Sequence, residues 1–188
     1  MNDVPAASTY PPERLVAYDL EWVTRFERLA SNFQAALGPA WMVEHIGSTS
    51  VPGLVAKPVI DLAVRLPNAE SLEEHLVALR GLGWSGPHDL GSHRCLFRLD
   101  RNVRRGIAHV FTAAQWPLAH QRLFAAWLRR HDADRDAYAR LKRKLVAHEV
   151  WGRAYTSAKT EFVQAIVDRA RAAQGLDPVP VWDEGVER

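Results

Sequence analysis

The densest run of chemically capable side chains in this chain is Glu44-His45-Ile46-Gly47-Ser48-Thr49-Ser50. A Gly–Ser pair lets backbone approach a ligand closely, and donors from Gly47, Ser48, Thr49 and Ser50 can converge on a phosphate. Further on, Asp61 interrupts the near-continuously apolar run from Val59 to Leu66. A carboxylate in such a run is costly unless it binds a cation, pairs with one or faces a cleft. Lys57 stands between these features and adds positive charge to the same region. The plainer alternative is a glycine turn followed by an Asp bonded to backbone, since short motifs arise easily by chance.

Other candidates lie at a distance along the chain. His45 and His109 fall on segments expected to be neighbours, and with Asp61 they could form a transition-metal site, because imidazole suits zinc, iron or manganese. Either ring could equally be satisfied by hydrogen bonds within a sheet. Lys142 follows Tyr138 by one helical turn, and Lys159 sits between Tyr155 and Phe162, so both interrupt apolar helical stripes. Such lysines either snorkel to solvent or bring their amines to a phosphate or carboxylate. Arg94 and Arg98 share strand parity and could add to a positive rim or form an exposed ladder.

These residues need elements to hold them. Asp19 can cap a helix whose apolar face runs Trp22, Phe26, Leu29, Phe33 and Leu37, ending at Gly38-Pro39. Strands are expected over Trp41–Ile46, Val59–Leu66, His93–Leu99 and Ile107–Phe111. Asn68 can cap a helix carrying Leu72, Leu76 and Leu79, closed by Gly81 and Gly83. Helical periodicity then dominates over about 118–131, 134–149 and 154–173. The order predicts an α/β (α+β) domain: a small mixed sheet of four or more strands flanked by helices on one side or around its edge, followed by a C-terminal helical segment. Residues 1–12 read as a flexible arm, 13–173 as one domain and 174–188 as a loose tail in which Trp182 can dock.

Composition sets outer bounds. The chain has 188 residues, 47% hydrophobic and 24% charged, which fits a folded globular protein rather than a disordered one. The 24 Lys+Arg against 22 Asp+Glu leave a charge of +2, too small to point to nucleic acid. The single cysteine, Cys95, excludes an internal disulfide and reads as a small buried hydrophobe. No apolar run is long enough to span a membrane, so a cytoplasmic location is expected.

The stretch from His45 to Leu62, HIGSTSVPGLVAKPVIDL, resembles the signature of the GrpB family. Tyr18-Asp19 with Trp22, His109-Val110, Tyr138 with Leu141-Lys142, and Tyr155-Thr156 with Lys159 and Phe162 agree with it in order, so the likeness spans roughly residues 15–172. The resemblance implies a nucleotidyltransferase-like fold. It also implies that Gly47 and Ser48 hold phosphates while Asp61 carries Mg2+ or another divalent metal. In that superfamily the strand bears a second carboxylate two residues on, where this chain has Ala63. Three activities are therefore compared. The first is a nucleotidyltransferase acting on a small molecule, with Asp61, Ser48 and Lys159 catalytic. The second is a non-catalytic module for a nucleotide or anionic metabolite. The third is a metal-dependent hydrolase using Asp61, His45 and His109. In each, Gly47, Ser48, Thr49, Ser50, Lys57, Arg94, Arg98, Lys142 and Lys159 are the expected contacts to phosphate.

Overall fold

The computed structural model describes residues 9–67 and 71–181. The first helix, α1 (Glu21–Leu37), buries Trp22 and Phe33 from its apolar stripe, and the Asp19 carboxylate accepts a hydrogen bond from the Glu21 N–H at 2.9 Å. Gly38, at φ 95°, ends it. Strands β1 (Met42–Ile46) and β2 (Ile60–Arg65) follow, then a 3-10 turn at Leu72–His75 leading into α2 (Leu76–Gly81). Strands β3 (Trp84–Asp89), β4 (Arg94–Asp100) and β5 (Val103–Phe111) complete a five-stranded sheet of order β1-β2-β5-β4-β3. Among the pairings of these five strands β2–β5 is parallel, while β1–β2, β3–β4 and β4–β5 are antiparallel. The chain ends in α3 (His120–Leu128), α4 (Asp132–Ala147), α5 (Gly152–Ser157) and α6 (Thr160–Ala172).

Strand alternation divides the sheet into two unlike faces. Ile60, Leu62 and Val64 of β2 join Leu96, Ala108 and Val110 against Trp22, Phe33 and Leu79 of α1 and α2. The opposite parity puts Ile46, Ala63 and Phe111 against Trp116, Ala119 and Ala125 at the start of the C-terminal helices. A third cluster ties the loop residues Val51 and Leu54 to Leu128, Tyr138 and Ile166. The mixed sheet is as expected. Its helices, however, cover both faces, because β2 is apolar on both parities apart from Asp61 and Arg65.

Sequence and structure differ elsewhere for identifiable reasons. β3 escapes a sequence reading because its Gly86 and Pro87 argue against a strand; it lies at the sheet edge, where proline is tolerated, and its register shifts between Ser85 and His88. The last helix is broken at Ala158–Lys159, separating α5 from α6. Thr9 and Tyr10, within the proposed arm, lie on the sheet: Thr9 bridges Val103, and the Arg104 guanidinium donates to the Tyr10 hydroxyl at 2.8 Å. In the proposed tail Val181 is buried, its N–H held by the Gln164 side chain at 2.8 Å. Asn68 and Trp182 fall outside the described residues. Among the described residues no helix is long and apolar enough to cross a membrane.

Leu62 is fully buried in the α1–α2 layer. Leu62→Ala should therefore cost about 2–5 kcal/mol. Urea denaturation should show a lower midpoint with an unchanged slope.

Candidate functional site

On the second face, Asp61 of β2 stands level with Ile46 of β1 and Ile107 of β5, and His109 lies two residues further along. A cavity of about 290 Å³ opens over this patch. Asp61, Ile107 and His109 form its floor and Gly47, Ser48 and Thr49 one wall. The C-terminal helices and the turn before α6 close it with Gln121, Phe124, Tyr138, Lys142, Tyr155 and Lys159, and Tyr10 reaches in from the N-terminal segment.

The loop wall is pinned by close approach. Gly47 has φ 69°, and a Cβ built there would sit 2.2 Å from Asp61 Oδ2, so only glycine fits. Ser48–Ser50 then form a single 3-10 turn. The N–H groups of Ser48 and Thr49 open that turn and have no partner within it. Thr49 and Ser50 serve the loop itself. The Thr49 hydroxyl pairs with His45 Nε2 at 3.0 Å and the Ser50 hydroxyl donates to the Gly47 carbonyl at 2.8 Å. Arg129 clamps the loop by donating to the carbonyls of His45 and Ser50. Ser48 differs: its oxygen accepts from Lys142 Nζ at 3.0 Å and lines the cavity.

Three lysines meet here. Lys142 is 2% exposed and donates to Ser48 and to the Val55 carbonyl. Burial, reinforced by Lys159, Arg143 and Lys57, holds its amine well below the usual lysine range. Lys159, over the Tyr155 ring at 4.3 Å, is lowered to about 8 by burial and Lys57, against the pull of Asp61. Lys57 lies 3.9 Å from the Tyr10 ring centre, 4.8 Å from Trp151 and 5.5 Å from Tyr155, and burial lowers it as well. Asp61 moves the other way. Burial raises its carboxyl to about 7 despite the opposing charges of Lys57, Lys159 and Arg104.

The cavity thus gathers Gly47, Ser48, Thr49, Lys57, Asp61, His109, Lys142 and Lys159, and leaves out four other candidates. His45 pairs in register with Leu62 and so points to the α1 face, stacked on Phe26 at 4.7 Å; it does not share a site with Asp61. Arg94 and Arg98 take the same parity as Leu96, facing α1 and α2. Arg94 pairs with Glu73, while Arg98 donates to the carbonyls of Gly83 and Leu99 at 3.3 and 3.0 Å. Ser50 is turned into its own loop. Tyr10, His120, Gln121 and Phe124 also line the cavity, though nothing in their spacing distinguishes them from arm or helix surface.

A pair of carboxylate-held magnesium ions does not fit these residues. Asp61 is a single carboxylate, and magnesium prefers several oxygen ligands in octahedral array. Ala63, the next position on the same face, is fully buried among Ile46, Phe111 and Trp116, where a carboxylate would lie in apolar core. His109 offers the cavity a single imidazole nitrogen, its Nδ1 being bonded to His93, and not the hard oxygen that magnesium prefers. Among the described residues no group of three His, Cys, Asp or Glu side chains is spaced to hold a metal.

Comparison with known proteins bears on family and fold. The family profile described as "GrpB protein" matches residues 12–169. The UPF0157 protein BH1888 of Halalkalibacterium halodurans is 37% identical over 164 residues, covering 84% of this chain and 82% of that one. The crystal structure of the conserved protein GrpB from Enterococcus faecalis superposes with a TM-score of 0.75 at 28% identity, covering 86% of this chain and 99% of that one. The Cid1 poly(U) polymerase bound to MgATP shares the fold at a TM-score of 0.54 and 8% identity, over 77% of this chain and 50% of the polymerase.

The raised Asp61 carboxyl makes a prediction about stability. Between its unfolded value of 3.8 and about 7 the folded chain holds a proton that the unfolded chain releases, so stability falls as pH rises through that window. Asp61→Asn should flatten this fall and stabilise the ligand-free protein near pH 8 by about 1–3 kcal/mol. Urea denaturation between pH 4 and 8 measures both effects.

Proposed function

The chain belongs to the GrpB family, and from that premise we propose that its cavity binds a small anionic metabolite, a phosphate or nucleotide, through Ser48, Lys142 and Lys159. The observation that carries this reading is the buried Lys142. Its amine is held by a hydroxyl and a carbonyl, with Lys57 and Lys159 nearby, and among the described residues none of the three lysines forms an ion pair. A buried ammonium without an anion is costly. Asp61 alone cannot balance three of them. A bound phosphate would accept from Lys159, from the Ser48 hydroxyl and from the loop N–H groups, and its charge would restore the lysines' affinity for protons.

The same charges give the ligand's chemical limits. The cavity is of the size that suits a small metabolite and has aromatic rings from Tyr10, Phe124 and Tyr155 around its polar groups. A ligand with an anionic end and a compact unsaturated or carbon-rich body satisfies both. Asp61 beside Lys57 and Lys159 would repel a second anionic group unless protonated, which favours ligand binding on the acid side of its titration.

A second reading, nucleotidyl transfer to a small acceptor, is favoured by one observation: the nucleotidyltransferase-like fold brings Gly47, Ser48 and Asp61 together. The two readings separate in one assay. Release of pyrophosphate from a nucleoside triphosphate supports transfer, while binding without turnover supports the module.

Sulfate, whose charge is constant near neutrality, tests the anion site. Because Lys159 loses its proton near 8, sulfate affinity should fall about tenfold between pH 7 and pH 9, as the competent fraction falls. Below about 7, neutralisation of Asp61 should tighten binding further. Calorimetry at constant ionic strength should also show that Lys159→Met removes the step near pH 8 and weakens binding. Affinity independent of pH and of this substitution would defeat the reading.

A further inference from the structure

The cavity floor carries a hydrogen-bonded pair of imidazoles that anion binding does not require. His93 Nε2 lies 2.8 Å from His109 Nδ1, and the Ser92 hydroxyl lies 3.0 Å from His93 Nδ1. Ser92 is exposed and His93 is buried, stacked on Phe111 with ring centres 4.6 Å apart. His109 lines the cavity, and with its Nδ1 taken by His93 its Nε2 is left to the cavity side. The Gln115 side chain donates to the Ser92 carbonyl at 2.8 Å and fixes the loop at the outer end. The three groups make an unbroken path from solvent to the cavity floor.

Both rings are neutral. Burial, with His93 and His120 nearby, lowers His109 to about 3, and burial lowers His93 to about 4. A neutral imidazole carries one N–H and one lone pair. Across a single His–His hydrogen bond only two arrangements are possible. In one, both rings carry the proton on Nε2, and His109 presents a donor to the cavity. In the other, both carry it on Nδ1, and His109 presents a lone pair.

We propose that His109 is the cavity's proton-exchanging group and that Ser92 and His93 are positioning residues that connect it to solvent. The proposal rests on the anion-binding reading and narrows its ligand to an anion bearing a protic group, such as a phosphate ester with a free hydroxyl, close to His109. Delivery of a proton runs in four linked transfers. His109 Nε2–H passes its proton to the ligand, His93 Nε2–H passes one to His109 Nδ1, the Ser92 hydroxyl passes one to His93 Nδ1, and water reprotonates Ser92. One proton enters from solvent, one reaches the ligand, and both rings end neutral with their tautomers inverted. The reverse sequence removes a proton from the ligand's hydroxyl.

Ser92→Asp tests the path without a known reaction. A carboxylate at the outer end accepts only, so it should draw the proton to His93 Nδ1, which forces His109 into its Nδ1–H form. In 15N-histidine spectra near pH 7, the Nδ1–H form of both rings should dominate by about tenfold, given the strength of a charged acceptor. In the double variant Ser92→Asp/His93→Phe, which keeps a ring against Phe111, His109 should no longer be held in the Nδ1–H form. Unlike tautomers in the two rings, or a His109 that ignores Ser92→Asp, would overturn the proposal. A His109 still locked as Nδ1–H in the double variant would also overturn it. Calorimetry of the wild-type protein with inorganic pyrophosphate separates the two claims: absence of binding defeats the anion reading and leaves the tautomer result to decide the path.

Discussion

The contact on which the site depends is the one between Gly47 and Asp61. With no room for a Cβ between them, the backbone of one segment lies directly on the carboxylate of the next. That closeness fixes three things together. It sets where the 3-10 turn starts, it removes water from one side of Asp61, and it brings Ser48 to the position where Lys142 reaches it. A methyl group at position 47 would oppose all three, through both the positive φ and the steric clash.

The charges around Asp61 show the usual tension between folding and function. Desolvation pushes the carboxyl up and the lysines down, so each ionised group costs stability in the ligand-free state. The fold tolerates this because the surrounding layers are apolar and close-packed, with Ile60 and Leu62, on either side of Asp61, buried on the other face. Aromatic faces around Lys57 and Lys159 soften the cost without neutralising the charge. The cavity is thereby left with more cation than anion.

Much of this was legible in the residues. The Gly–Ser loop, the strand Asp and the two misplaced lysines all converge on one cavity, because a polar group in an apolar stripe has to be satisfied somewhere. Strand parity was the point of failure. His45 is adjacent to Ile46, which faces Asp61, so alternation sends its ring to the opposite side of the sheet. Arg94 and Arg98 share a face, as their spacing predicts, but the spacing does not say which face. β3 was hidden by Gly86 and Pro87, and Tyr10 by the polar, proline-bearing composition around it. His93 was missed because a lone histidine at a strand's edge carries no periodic signal; its meaning comes from the pairing of β4 with β5.

The bond between Lys142 and Ser48 joins residues separated by 94 positions. Ser48 and Asp61 come early in the sequence, and α4 and the turn before α6, which bring Lys142 and Lys159, are synthesised after them. A growing chain can therefore pair β1 with β2 before α4 and the turn before α6 exist to cover Asp61, and a carboxylate open to water keeps an ordinary acidity. Docking of the C-terminal helices takes the remaining solvent from the carboxyl and closes the cavity. The site joins segments far apart in the chain, so any ligand it holds also acts as a clasp between them.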